Sequence, residues 1–190
     1  RSGNYDIWLR NMRTGFERQM TTHRADDFYP VWDVKQRYLI YVSQSSDAHG
    51  DLFRLNLRSV RGELIAKGEP ERLTFYLGFD GYPTMSAFDE HIAWVSDRTG
   101  RPEIWLQTKK RLDIRQLTHG GATHPAWSPV QDYLAFTSFR QDSSNGDIWL
   151  LNLYAPLELF ETKLPTDSLE RPMWPITRGP MADGFPTWTA

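Results

Sequence analysis

Cysteine is absent from this chain of 190 residues, which excludes disulfides, a thiol nucleophile and thiolate metal sites. Long hydrophobic runs are missing as well. No apolar stretch approaches the roughly 18 residues that a membrane-spanning helix needs, so membrane insertion is not expected. Nor is there an excess of one charge. The formal net charge is −2, with acidic and basic residues mixed along the chain. The basic face that phosphate binding demands is therefore lacking, and no nucleic-acid partner is expected. There is no Gly-x-Ser-x-Gly elbow, no His-Glu-x-x-His and no phosphate-cradling glycine loop, so neither a hydrolase centre nor a bound cofactor is expected. No segment sustains an apolar period of 3.6, which excludes helical solenoids.

Aromatic residues, by contrast, are plentiful: they make up 14% of the chain and include eight Trp. Flat side chains in such number suit stacked sheets. Their positions repeat. Tyr5-Asp6-Ile7-Trp8-Leu9, Gly50-Asp51-Leu52-Phe53, Pro102-Glu103-Ile104-Trp105-Leu106 and Gly146-Asp147-Ile148-Trp149-Leu150 share one pattern. A second is Arg18-Gln19-Met20-Thr21, Glu71-Arg72-Leu73-Thr74 and Arg115-Gln116-Leu117-Thr118, with Pro175-Ile176-Thr177 as a looser copy. A third is Tyr29-Pro30-Val31-Trp32, Tyr82-Pro83-Thr84-Met85, His124-Pro125-Ala126-Trp127 and Phe185-Pro186-Thr187-Trp188. After the first three of these comes an apolar strand, at Tyr38 to Val42, Ile92 to Val95 and Leu134 to Phe136. Three patterns recurring in one order define a repeat.

Each unit reads as four short strands: the Pro–Trp segment, the apolar run, the Asp-Ile-Trp-Leu segment and the Gln-Leu-Thr segment. A four-stranded unit of this size cannot cover both faces by itself, and radial repetition is the usual solution. The expected fold is all-β: a β-propeller of four-stranded antiparallel blades, with about four repeats over residues 1–190. The order of elements gives a partial blade at about 5–22, blades at about 28–76, 81–119 and 123–178, and the start of a further blade at 183–190. Joining the ends would leave one blade without its apolar second strand, with unpaired backbone groups on both sides. An incomplete or open ring is therefore expected, part of a larger propeller or completed by a second chain.

The strings Pro125-Ala126-Trp127-Ser128-Pro129, Ala93-Trp94-Val95-Ser96-Asp97-Arg98 and Gly146-Asp147-Ile148-Trp149 resemble the TolB-like propeller repeat. That repeat runs Pro-x-Trp-Ser-Pro-Asp-Gly, an apolar strand, Ser-x-Arg, then Asp-Ile-Trp or Asp-Ile-Tyr. Similar repeats occur in the propellers of prolyl oligopeptidase-like and tricorn-like peptidases. The repeat is degenerate here: Ser-Pro-Asp-Gly is kept only as Ser128-Pro129-Val130-Gln131. Arg98 and Arg140 hold the Ser-x-Arg position, where the first copy has Gln44-Ser45. Both arginines read as structural, linking a blade to its neighbour. The family's Asp three residues before the Pro is present as Asp27, Asp80 and Asp183, and Ala122 takes that place in the remaining copy.

The resemblance puts Asp27, Asp80 and Asp183, with His124, near one mouth of a central channel. There they form a carboxylate ring for a cation or a basic partner residue, or they cap turns ahead of their strands. Trp8, Trp105, Trp149, Phe53, Trp32 and Trp127 read as blade packing. His23, His119 and His124 are the candidates for an N/O metal site such as related pectin-degrading lyases carry, but no His-x-His spacing supports one and no metal is assigned. Two insertions interrupt the regular length, Arg58 to Pro70 and Tyr154 to Trp174. In the second, Leu157, Leu159, Phe160 and Trp174 are the candidate partner-binding residues, because long loops on a rigid scaffold tend to carry binding. The leading expectation is a non-catalytic scaffold that binds a protein partner, within a larger periplasmic or extracellular protein or complex. The alternative is the propeller portion of a peptidase or polysaccharide-degrading enzyme whose catalytic part is absent or metal-dependent.

Overall fold

A computed structural model of the chain describes residues 3–87, 91–108, 113–140, 145–153 and 173–189. The chain divides into two compact units, Arg1–Pro83 and Thr84–Ala190. The described residues carry strands and no helix.

The first unit holds β1 (Trp8–Arg10), β2 (Glu17–Gln19), β3 (Asp27–Trp32), β4 (Tyr38–Ser43), β5 (Asp51–Val60), β6 (Glu63–Ala66) and β7 (Glu71–Arg72). Strand β8 (Asp80–Met85) crosses into the second unit. That unit continues with β9 (His91–Ser96), β10 (Glu103–Thr108), β11 (Ile114–Gln116), β12 (Ala122–Trp127), β13 (Tyr133–Ser138), β14 (Asp147–Asn152) and β15 (Met173–Pro175). The sheets run β1-β2, β3-β4-β5 with β6 and β7 both on β5, β8-β9-β10-β11, and β12-β13-β14-β15. These are meanders of propeller-blade type, with strands in sequence order.

Burial follows the sequence pattern. All six residues of β4 are buried, as a continuous apolar run covered on both faces requires. In β14 burial alternates, with Asp147, Trp149 and Leu151 turned inward. In the second unit Ile104, Leu117, Leu134, Phe136, Trp149, Leu151 and Met173 form one core. In the first, Ile7, Met20, Leu39, Tyr41, Phe53 and Leu55 do the same. Each such side chain contributes about 1.5–3 kcal/mol by leaving water.

Two features depart from the sequence reading. The stretch from Arg58 to Pro70 is no loose insertion: β5 runs on to Val60 and folds back as β6, in register from Leu57 opposite Ala66 to Val60 opposite Glu63. The two turn residues, Arg61 and Gly62, both have positive φ, 52° and 84°. That is the mirror-image turn whose twist matches a two-residue hairpin. The second departure concerns tryptophan. Trp149 and Trp127 are buried at 1% and 6% exposure, whereas Trp8 and Trp32 are 39% and 42% exposed. In the first unit these two border a surface cavity of about 800 Å³ together with Phe16 and Arg18. Among the described residues β1 pairs only with β2, so its other edge has no hydrogen-bonded strand beside it.

Two hydrogen bonds recur in every copy and explain the repeat's fixed letters. The threonine two residues beyond each fourth strand accepts, through its hydroxyl, the N–H of the residue after the third strand's acid. The pairs are Thr21 with Ile7 (3.0 Å), Thr74 with Leu52 (3.0 Å), Thr118 with Ile104 (2.9 Å) and Thr177 with Ile148 (2.9 Å). The other bond joins successive copies through main chain alone. The N–H three residues before each copy's proline donates to the carbonyl just before the preceding copy's acid: Asp27 to Tyr5 (2.8 Å), Asp80 to Gly50 (3.1 Å), Ala122 to Pro102 (2.9 Å) and Asp183 to Gly146 (2.7 Å).

Candidate functional site

The first strands β3 and β12 carry an irregularity at the same place. In β3, Phe28 faces Val42 and Val31 faces Ile40, so three steps on one strand match two on the other. β12 has the same bulge between Thr123 and Ala126. Proline explains half of it, because Pro30 and Pro125 have no N–H to give the ladder. The preceding residue explains the rest. Tyr29, Tyr82, His124 and Phe185 all adopt a left-handed backbone, with φ of 53°, 50°, 50° and 56°. Non-glycine residues rarely do so, and the residue before proline ordinarily prefers extended backbone. Four copies of one strained conformation constitute a feature held by the fold.

The consequence is that these rings leave the normal alternation and meet one another. In the first unit the rings of Tyr29 and Tyr82 stack with centroids 4.5 Å apart, and their hydroxyls lie 3.3 Å from each other. Phe28 and Phe79 each set an edge against one of the two. Tyr82 is pushed up to about 12 by its hydrogen bond to Tyr29 and by burial. In the second unit the His124 ring lies 4.0 Å from that of Phe185. Burial holds His124 below the usual imidazole value, so it is neutral at pH 7. Tyr29 and Phe185 remain 44% and 75% exposed. The result is two pairs of partly exposed rings, of which Tyr29, Tyr82 and His124 stand on strands and Phe185 does not.

Two residues before each ring stands the acidic position. Asp27 and Asp80 are the first residues of β3 and β8, inside strands and not in turns, and both are buried. Burial raises the Asp27 pKa above the ordinary 3.8, against stabilisation from Ser43, Thr21 and the charge of His23. Asp183 is exposed and lies outside any strand, yet keeps its backbone bond to Gly146. Where the copy has Ala122 instead, Glu103 does the work of two acids. One carboxylate oxygen accepts the N–H groups of Gly120 and Gly121 (2.8 and 2.9 Å), and the other accepts the Thr118 hydroxyl at 2.7 Å. Its counterpart Asp51 has a side chain one carbon shorter; it receives the Thr74 hydroxyl at 3.2 Å and pairs with Arg72 at 2.6 Å.

The histidines hold local bonds. The N–H of Ala25 donates to His23 Nδ1 at 3.0 Å, His119 Nδ1 lies 3.0 Å from Gln116 Nε2, and His124 Nδ1 lies 3.0 Å from Thr123 Oγ1. Among the described residues no group of three His, Asp or Glu converges on a point that could hold a metal ion. Trp174 sits in β15 opposite Leu150 and sets its ring edge-on against Tyr133 at 6.0 Å. Leu157, Leu159 and Phe160 lie outside the described residues. The paired rings were not singled out from sequence, although an aromatic residue before proline in all four copies was there to be seen.

No protein-family profile matches the sequence, and no curated protein matches it. Solved structures do. The chain is similar to TolB from Acinetobacter baumannii, with TM-score 0.63 and 17% identity over 78% of this chain and 35% of that one. It is also similar to the tricorn protease, with TM-score 0.60 and 14% identity over 95% of this chain and 20% of that one. A third likeness is to a chain of the nidogen/laminin complex, with TM-score 0.57 and 15% identity over 79% of this chain and 55% of that one. The chain thus spans about a third of the length of the TolB chain it matches. At this identity the likeness shows the fold, and the fold is that of TolB-like β-propeller blades.

Proposed function

We propose that this chain is a non-catalytic β-propeller scaffold that binds a protein partner, as part of a larger periplasmic or extracellular protein or complex. The observation that carries this reading is the stacked pair Tyr29–Tyr82, held in left-handed backbone and half-exposed on first strands. Rigid aromatic side chains with a polar tip lose little conformational entropy on binding, which is why tyrosine is enriched where proteins meet. Their placement on strands fixes them more firmly than a loop would. The His124–Phe185 pair presents the same chemistry in the second unit. One of the similar folds is seen in a complex of two proteins, nidogen and laminin, and propellers serve as scaffolds as readily as they serve catalysis.

The test is site-specific photo-crosslinking in the full-length protein, produced in its own cells. A benzophenone amino acid at position 29 or 185 is expected to give a discrete adduct with a second polypeptide. The same group at the exposed turn residue Lys35 serves as the control. Adducts at 35 but none at 29 or 185 would remove the reading.

A further inference from the structure

The position after each second strand differs between copies. In the second unit it is arginine. The Arg98 guanidinium lies 4.6 Å from the centroid of Trp105 and 5.8 Å from that of Trp94, and its Nε donates to Ser96 Oγ at 2.9 Å. The Arg140 guanidinium lies 5.8 Å from the Trp149 ring and is drawn by the charge of Glu103 in the preceding copy. The repeat therefore builds a slot for a guanidinium. An aromatic ring from the third strand forms the floor; Arg98 adds a serine hydroxyl two residues back, and Arg140 a neighbouring carboxylate.

In the first copy the arginine is replaced by Ser45. The aromatic and serine positions of the slot are kept. Tyr41 and Phe53 stand where Trp94 and Trp105 stand, their ring centroids 6.1 Å apart, and Ser43 stands where Ser96 does. A carboxylate is also present, that of Asp27, which stands at the Ala122 position and not at that of Glu103, whose counterpart in this array is Asp6. In place of the arginine side chain there is a cavity of about 500 Å³, lined by Asp27, Tyr41, Ser43, Ser45 and Phe53, with His23 at its border. The returning leg of the β5–β6 hairpin closes one side through Ala66, Gly68 and Glu69. Asp27 is 2% exposed, and its Oδ1 has no hydrogen-bond partner. Ser43 and Thr21 bond the carboxylate, yet the unpaired oxygen is a buried acceptor whose desolvation is uncompensated until a donor arrives.

We propose that this cavity binds the guanidinium of an arginine side chain presented by another polypeptide segment, which takes the place of the arginine that the first copy lacks. Asp27 and Glu69 give the cavity its negative character, and among its described lining residues His23 is the one that can carry positive charge. A planar guanidinium can lie on Phe53 while donating to Asp27, which an ammonium cannot do equally well. The site is separate from the paired rings, and the proposal does not depend on them.

Calorimetric titration of the full-length protein with N-acetyl-arginine-N-methylamide tests it. Saturable binding is expected, at least tenfold weaker for the lysine counterpart and for free L-arginine, whose charged ends do not mimic a chain. Ser45→Arg restores the internal occupant, so it is expected to raise Tm and abolish binding. Asp27→Asn, with an unchanged circular dichroism spectrum, is expected to weaken binding at least tenfold. The proposal is overturned by no saturable binding, by equal affinity for the lysine compound or for free arginine, by binding that survives Ser45→Arg, or by a lowered Tm in that variant.

Discussion

Tyr29 and Tyr82 stand 53 positions apart in sequence, yet their hydroxyls lie 3.3 Å from each other on stacked rings. Each owes its place to the proline that follows it and to the left-handed turn of its own backbone. One expectation follows directly from the shared hydrogen bond. Tyr29→Phe removes the partner hydroxyl, so the Tyr82 phenol should titrate nearer its ordinary value of 10.0 than the 12 or so it has now. Alkaline absorbance titration near 295 nm, with Tyr82→Phe to assign the signal, reads this shift. An unmoved transition would mean that burial alone sets it.

The threonine hydroxyls should be worth more than their exposure suggests. Thr118 is buried, accepts the Ile104 N–H and donates to Glu103. Thr118→Val leaves a buried N–H and a carboxylate without this partner, and a loss of about 1–3 kcal/mol is expected in urea unfolding. Thr118→Ser keeps the hydroxyl and should recover most of it.

At the β5–β6 turn the strain lies in the main chain. A Cβ on Gly62 would meet nothing within 4 Å, so any cost of Gly62→Ala comes from its φ of +84°. About 1 kcal/mol of destabilisation is expected, since left-handed backbone disfavours a Cβ by about that much. Arg61→Asn should act oppositely and add about 0.5 kcal/mol, because asparagine tolerates positive φ. Thermal unfolding of both variants against the parent would show opposite signs.

Asp27 makes stability depend on pH in a predictable direction. Its pKa is raised in the folded state, chiefly by burial. Its favourable contribution is therefore complete below the unfolded value of 3.8 and is lost as pH rises through the folded value. Asp27→Asn carries no such ionisation. The Tm of this variant relative to the parent should rise as pH increases from about 4 through the folded value. A difference that is constant across that range would show that the carboxyl is not raised.

Much of this architecture can be read without coordinates, because each repeated letter answers a local need. Threonine caps the third strand, proline interrupts the ladder, and the apolar run fills a strand covered on both faces. What could not be read involves conformations that run against ordinary preference. A residue before proline is expected to be extended, so the left-handed Tyr29 and its partners were hidden. Arg61-Gly62 lacks the Asn-Gly signature of a tight hairpin, so Arg58 to Pro70 looked like a loop. Ser45 was visible as a departure from Ser-x-Arg, but only packing shows that its loss of bulk leaves a cavity beside Asp27.

The backbone bond that joins one copy to the next has an evolutionary reading. Asp27 to Tyr5 and Ala122 to Pro102 make the same link, though one donor residue is an acid and the other an alanine. A junction written in amide and carbonyl asks nothing of the side chains on either side. Copies joined in this way can drift independently and take up new surface chemistry one at a time, as Ser45 and Ala122 each illustrate, while the seam between them stays shut.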